Sequence, residues 1–274
     1  MRPLLLLVLL AGVAACAPAR HTATDASAAS SPRPPADSAS GLPETARALV
    51  EAVRARHGAT WYRTLAFVQE TTFHTPSGPR VQTWYEAGAV PGRLRIDVAP
   101  LGEAGTFLFT VDSTFLAPPG RPVVRRGGGN PLMLFGFDIV TIPADVTLAG
   151  MAALGIDTTA VRADVWEARP AIVVGAAPGD TTAPQVWFDR ERLVFVRLIE
   201  RQGDGLSEVR FRAYEPLGGG WIAPHVEAYQ NGVLVQEERY RAIRADVVLP
   251  EGTFDTHTWP SVAWWTAVGY DGTE

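Results

Sequence analysis

The sequence predicts a mainly β protein of the α+β class, built on a single curved antiparallel sheet that forms an open half-barrel. Three observations carry that expectation. Short stretches of apolar/polar alternation recur through most of the chain beyond residue 60. Gly-, Pro- and Asn-containing turns separate them at close spacing. One amphipathic helical segment precedes them all. A sheet with one apolar face must bury it, and a curled sheet does so around its own helices.

The helix is expected from about Pro43, which suits a first turn, with Glu44 at the positive end of the dipole. Ala46, Leu49, Val50 and Val53 form its apolar stripe, Arg54, Arg56 and His57 fill its last turn, and Gly58 stops it. Strands follow. Leu65-Phe67-Gln69-Thr71-Phe73 alternates with Ala66-Val68-Glu70-Thr72-His74, and a Pro/Gly turn leads into Val81 to Glu86. In Arg93 to Val98 the apolar residues share one face and the charges the other. Thr106 to Asp112, Ser113 to Ala117 and Arg121 to Arg126 continue the meander. Leu132 to Phe137 is then unusually apolar for a connection, and Pro143 to Leu154 has helical character. Strands resume over Val161 to Glu167 and Ala171 to Gly175. A hairpin joins Gln185 to Phe188 with Leu193 to Glu200, and Glu208 to Tyr214, Trp221 to Tyr229 and Leu234 to Ile243 complete the set. Asn231-Gly232 marks a tight turn in the last pair.

Composition narrows function by exclusion. The chain has 274 residues, a net charge of −5, one cysteine, and 24 basic residues that are all arginine. A single cysteine makes no internal disulfide and no cysteine-rich metal cluster. The absence of lysine removes phosphate-loop, Schiff-base and kinase-type lysine chemistry. The acidic balance argues against nucleic acid as a partner.

The cysteine sits where it is most informative. Arg2 precedes an apolar run from Leu4 to Ala15, roughly twelve residues and too short to span a bilayer. The run ends in Val13-Ala14-Ala15-Cys16, which resembles the lipobox of bacterial lipoproteins. Acylation there would bury methylenes at about 0.8 kcal/mol each, enough for stable anchoring by two or more chains. Residues 1–15 therefore read as a lipoprotein signal peptide, Cys16 as the lipidation site, and the membrane as a partner through it. Residues 17–42 are rich in Ala, Ser, Thr, Pro and Asp and read as a disordered linker, spanning on the order of 30 Å as a flexible coil. Residues 43–256 are expected to form the β domain, followed by an aromatic C-terminal tail over 257–274 that carries Trp259, Trp264, Trp265 and Tyr270. Ala17 after the cysteine is compatible with an outer-membrane destination facing the periplasm.

Catalytic motifs are missing: there is no HExxH, GxSxG, CxxC or dinucleotide glycine fingerprint. His57, His74, His225 and His257 lie on different elements and suit surface or capping roles. His225 and Glu227 share a strand face, which a solvent-facing polar row explains without a metal. No enzyme activity, metal or cofactor is expected. The apolar rows are the better guide to function. Leu94, Ile96 and Val98 share a face, as do Phe107, Phe109 and Val111, while Val194, Val196 and Leu198 form another row with Val209 and Phe211 beyond. Leu94, Ile96, Val98, Phe107, Phe109, Val196, Leu198 and Phe211 are therefore the candidates for contact with a hydrophobic ligand. Leu132, Met133, Leu134, Phe135 and Phe137 are the candidates for a central helical lid or contact loop.

Taken together, the lipobox and four segments resemble the bacterial LolA/LolB-like lipoprotein-sorting superfamily. The segments are the helix leading into Trp61–Phe73, the hairpin Val186-Trp187-Phe188-Asp189-Arg190-Glu191, Gly220-Trp221-Ile222-Ala223-Pro224-His225, and the closing Leu249-Pro250-Glu251-Gly252-Thr253-Phe254-Asp255. The resemblance implies a half-barrel of about eleven antiparallel strands wrapped over helices. It also implies a concave face that holds acyl chains of lipoproteins or another hydrophobic ligand, with a role in lipoprotein sorting. A sensor or scaffold lipoprotein that uses the same fold to bind an envelope protein is the alternative.

Overall fold

The structure, a computed structural model, describes residues 43–272; the expected signal peptide, Cys16 and the linker lie outside the described residues. Helix α1 spans Ala46–His57 and begins after Thr45, whose hydroxyl accepts the Ala48 N–H at 3.1 Å. It therefore starts later than Pro43. Its buried face carries Ala46, Leu49, Val50 and Val53, as the stripe requires. Of the surface or capping role expected of His57, the surface part does not hold. His57 is buried, its Nε2 lies 2.8 Å from the Arg192 carbonyl, and burial lowers its pKa.

Six strands follow as a meander: β1 (Thr64–Thr75), β2 (Gly78–Ala89), β3 (Arg93–Val98), β4 (Thr106–Phe109), β5 (Ser113–Ala117) and β6 (Val124–Gly127). The chain then crosses through helix α2 (Pro131–Gly136), a 3-10 turn over Asp138–Val140 and helix α3 (Ala144–Ala153). A second run returns as β7 (Val161–Trp166), β8 (Arg169–Val174), β9 (Gln185–Asp189), β10 (Val194–Gln202) and β11 (Gly205–Arg212). The short pair β12 (Glu215–Leu217) and β13 (Gly220–Ile222) stands apart as its own two-stranded sheet. Finally β14 (His225–Gln230) and β15 (Val233–Ala245) bring the chain back to β1.

The main sheet has thirteen strands in the order β6-β5-β4-β3-β2-β1-β15-β14-β11-β10-β9-β8-β7, antiparallel throughout and not closed. The first meander thus runs outward from the middle to one edge, and the helical crossover carries the chain to the opposite edge. The expected mainly β half-barrel is what forms, with more strands than the eleven that the resemblance implied. Trp221 to Tyr229 is not one strand but breaks at Ala223-Pro224, because Pro224 has no N–H for a ladder. Asn231 and Gly232 adopt φ of 51° and 78°, the left-handed pair that a two-residue hairpin demands.

The largest core lies inside the curve. There α1, Trp61, Leu65 and Phe67 pack with Phe135, Ile139 and Met151 of the crossover and with Ile172, Phe188, Phe195 and Phe211 of the second run. The outer face is also covered over β1 and β2. After β15 the chain makes a 3-10 turn (Trp259–Ser261) and a single helical turn, α4 (Trp264–Ala267). Trp264, Val268 and Tyr270 pack on Ala66, Val68, Tyr85 and Ala87. The Tyr270 hydroxyl donates to the Ala242 carbonyl at 2.6 Å. The aromatic tail is thus a strap across the back of the sheet. Beneath it, the charged face of β3 is not solvated: Arg95 and Asp97 are fully buried as an ion pair, Nε to Oδ2 2.8 Å.

Candidate binding cavity

Inside the curve, beside the packed core, the sheet leaves a cavity of about 840 Å³, a volume in the range of pockets that enclose a single organic ligand. Its walls come from both runs of strands. Leu65, Phe67 and Phe73 of β1, Trp84 of β2, Leu94 and Ile96 of β3, and Phe107 and Phe109 of β4 form the apolar wall. Phe211 of β11 faces them, and Leu132, Met133, Phe137 and Leu154 of the crossover close over the top.

The crossover forms a lid for local reasons. The Asn130 side chain accepts the Leu132 N–H at 2.9 Å and Pro131 occupies the first turn, so the apolar segment coils instead of running extended. Its faces then divide the labour. Phe135 points away from the cavity into the core and lies 5.9 Å, ring to ring, from Phe195. Leu134 turns to α3, where Gly150 has no Cβ to obstruct it; a methyl there would fall 2.3 Å from Leu134 Cδ2.

Five of the eight sequence candidates line the cavity: Leu94, Ile96, Phe107, Phe109 and Phe211. Val98, Val196 and Leu198 do not. Val196 and Leu198 pack in the main core, and β10 carries a register slip between Phe195 and Arg197. It sets Phe195 opposite Phe188, Leu198 opposite Val186 and Arg197 opposite Trp187, so the supposed row of Val194, Val196 and Leu198 loses its common face. Val98 packs instead in the small cluster with Trp84 and Ile96. Of the lid candidates, Leu132, Met133 and Phe137 face the cavity, and Leu134 and Phe135 do not.

Polar residues also line the cavity, and the apolar-row argument passed over them. Gln69, Glu86, Gln236 and Glu238 are buried on β1, β2 and β15, with Glu200 on β10 and Asp138 at the lid. Gln69 belongs to the Leu65-Phe67-Gln69 alternation, so it shares a strand face with two other cavity-lining residues. Glu238 accepts from Gln236 Nε2 at 2.7 Å and from the Tyr240 hydroxyl at 3.0 Å. Burial still pushes its carboxyl up to about 7. Burial holds Glu86 well above the carboxylate range, with the Glu238 charge adding to the effect. Glu200 is raised to about 7 by burial. Asp138 rises to about 6 by burial, although it accepts the Gly92 N–H at 2.8 Å. Arg93, Arg126 and Arg201 also reach the cavity, but all three are exposed at its rim.

The His225–Glu227 pair has another setting. His225 Nε2 lies 3.0 Å from the Glu237 carboxylate and 3.6 Å from that of Glu227, which also pairs with Arg212. Among the described residues no group of three His, Cys, Asp or Glu side chains is arranged to hold a metal.

Solved structures share this architecture. A domain from Vibrio parahaemolyticus, described as outer membrane lipoprotein-sorting, superposes with a TM-score of 0.57 at 14% identity, covering 78% of this chain and 97% of that one. A LolA superfamily protein from Nitrosomonas europaea gives 0.51 at 10% identity over 78% of this chain and 98% of its own. The fold is LolA-like. A DUF1329 family protein from Desulfovibrio piger shares it too, with a TM-score of 0.55, 11% identity, and coverage of 77% and 96%. No family model and no curated protein matches the sequence. Within this LolA-like fold, the cavity lies on the concave side, under the helical crossover.

Proposed function

We propose that this chain is a lipid-anchored envelope protein that takes an acyl chain, lipoprotein lipid or another hydrophobic ligand into the concave cavity. One observation carries the reading: a cavity of about 840 Å³ walled by aliphatic and aromatic side chains from both halves of the sheet and covered by the apolar face of α2. Apolar surface of that extent gains on the order of 25 cal/mol per Å² when a ligand removes it from water. The likeness to a domain described as outer membrane lipoprotein-sorting supports an envelope setting and a role in lipoprotein sorting. Binding rather than catalysis is the activity assigned. The lipobox-like Val13-Ala14-Ala15-Cys16 supports export and attachment through Cys16, with the outer membrane as the destination.

Two experiments test this. Native mass spectrometry of the purified chain, with titration of the neutral hydrocarbon probe diphenylhexatriene, should reveal co-purified lipid and saturable probe binding. Absence of both overturns the cavity reading. Cys16→Ser should move the protein from the membrane to the soluble fraction, and retention in the membrane overturns the anchor.

A further inference from the structure

The polar groups inside the cavity have one chemical sense. The buried charged side chains that line it are all acidic: Glu86, Asp138, Glu200 and Glu238. Two of them, Glu86 and Glu238, interact across β1, between strands β2 and β15. Gln236, only 1% exposed, spends its amide N–H on Glu238 and leaves its carbonyl oxygen without a hydrogen-bond donor. That orphan acceptor lines the same cavity as the two carboxyls. A buried acceptor without a donor is costly, and the two buried carboxyls, which desolvation holds toward their neutral form, have no cation beside them to favour the charged one. Among the described residues, the arginines that reach the cavity stand exposed at its rim.

What would satisfy the set is a group that carries only N–H donors and a positive charge. An alkyl carboxylate or phosphate brings more acceptors and a like charge into the same place. A hydroxyl brings a single donor. An ammonium brings three donors and the complementary charge. The surrounding wall of Phe67, Trp84, Leu94 and Phe109 takes the hydrocarbon portion and adds aromatic faces that attract a cation.

We propose that the cavity selects an amine-bearing amphiphile, its ammonium group seated on Glu86, Glu238 and the carbonyl of Gln236 and its chain along the apolar wall. This rests on the hydrophobic-ligand reading above and names the chemistry of the ligand's polar end.

The test is competition against bound diphenylhexatriene on the full chain at pH 7, using dodecylamine, dodecanol and dodecanoate below their micelle concentrations. Dodecylamine should displace the probe at a concentration about ten-fold lower than dodecanoate, with dodecanol between, which corresponds to about 1.4 kcal/mol. Glu86→Gln and Glu238→Gln, made singly and together, should narrow the gap between amine and carboxylate while probe binding persists. Equal displacement by all three, or preference for dodecanoate, overturns the proposal with the unsubstituted protein alone and leaves the apolar cavity standing. An amine preference unchanged in a folded Glu86→Gln, Glu238→Gln variant overturns it as well. If neither the probe nor any of the three alkyl compounds binds, the hydrophobic-ligand reading falls and this proposal falls with it.

Discussion

Trp264 donates its indole N–H to the Asp97 carboxylate at 2.7 Å, across 167 positions of sequence and on the outer side of the sheet. The same carboxylate accepts a hydrogen bond from Arg95 Nη2 at 2.9 Å, and Arg95 Nε lies at an ion-pair distance of 2.8 Å. The guanidinium carbon lies 5.7 Å and 5.8 Å from the Trp259 and Trp265 rings. Burial raises the Asp97 pKa, and the nearby Arg95 and the Trp264 hydrogen bond oppose that rise. The strap over the back of the sheet therefore holds a desolvated ion pair by means of indoles. Its contribution to stability should be separable from ligand binding on the other face.

Trp264→Phe keeps most of the packing and removes only the donor to Asp97. It should cost about 1–3 kcal/mol, the penalty for a buried acceptor left short. Trp264→Ala should cost about 3–5 kcal/mol, because a cavity is added. Urea unfolding gives both values. Diphenylhexatriene affinity should remain as in the parent chain, and a large loss of affinity in folded Trp264→Phe would mean that the two faces are coupled.

Breaking the pair from one side should be worse than replacing it. Arg95→Met strands the Asp97 charge and is expected to cost about 3–5 kcal/mol, whereas Arg95→Met combined with Asp97→Leu should recover much of it. A double-mutant cycle on unfolding free energies measures the coupling. Additive losses would remove the buried pair as a unit.

Stability should fall as pH rises toward neutrality. In the unfolded chain glutamate loses its proton near 4.5, while folded Glu200 and Glu238 keep theirs to about 7. Between those values the unfolded state sheds protons that the native state retains, so the equilibrium moves toward unfolding with each step up in pH and levels off above about 7. Asp138, held at about 6, acts in the same direction from a lower starting value. The loss per glutamate is on the order of 3 kcal/mol. Urea midpoints at pH 5 and pH 8 check the direction, and Glu200→Gln should flatten the slope. A midpoint that climbs from pH 5 to pH 8 contradicts it.

The two faces of the lid should respond differently. Phe135 is a core residue against Phe195, so Phe135→Ala should cost about 3–5 kcal/mol of stability. Leu132 is half-buried and faces the cavity, so Leu132→Ala should change stability by less than about 2 kcal/mol while weakening the hydrocarbon probe measurably. Equal stability losses would place both side chains in the same environment.

The sequence disclosed the sheet because alternation is a local property. Leu94 and Ile96 face the cavity as their spacing implied, and Asn231-Gly232 turns where it should. The register slip at β10 was hidden, because nothing between Phe195 and Arg197 differs in kind from an unbroken strand. Alternation divided Arg95 and Asp97 from their apolar neighbours correctly, yet it carries no information on what covers a face. Their burial depends on a segment more than 150 positions away. Glu86, Gln236 and Glu238 were illegible for a related reason. Each looks like an ordinary polar member of a strand, and only the pairing of β1 with both β2 and β15 sets them together.

The position of the crossover in the strand order has a mechanical consequence. Strands β6 and β7 are the free edges of the sheet, and the chain between them is the segment that bears α2 and α3. A closed barrel completes its circumference through ladder hydrogen bonds, and its diameter is then set by strand number and stagger. This one completes its circumference covalently, through a span of helix and turn. The spacing of the two edges is therefore not fixed by a closing row of strand pairings, and the length of that span is the dimension to alter in order to change how far β6 stands from β7.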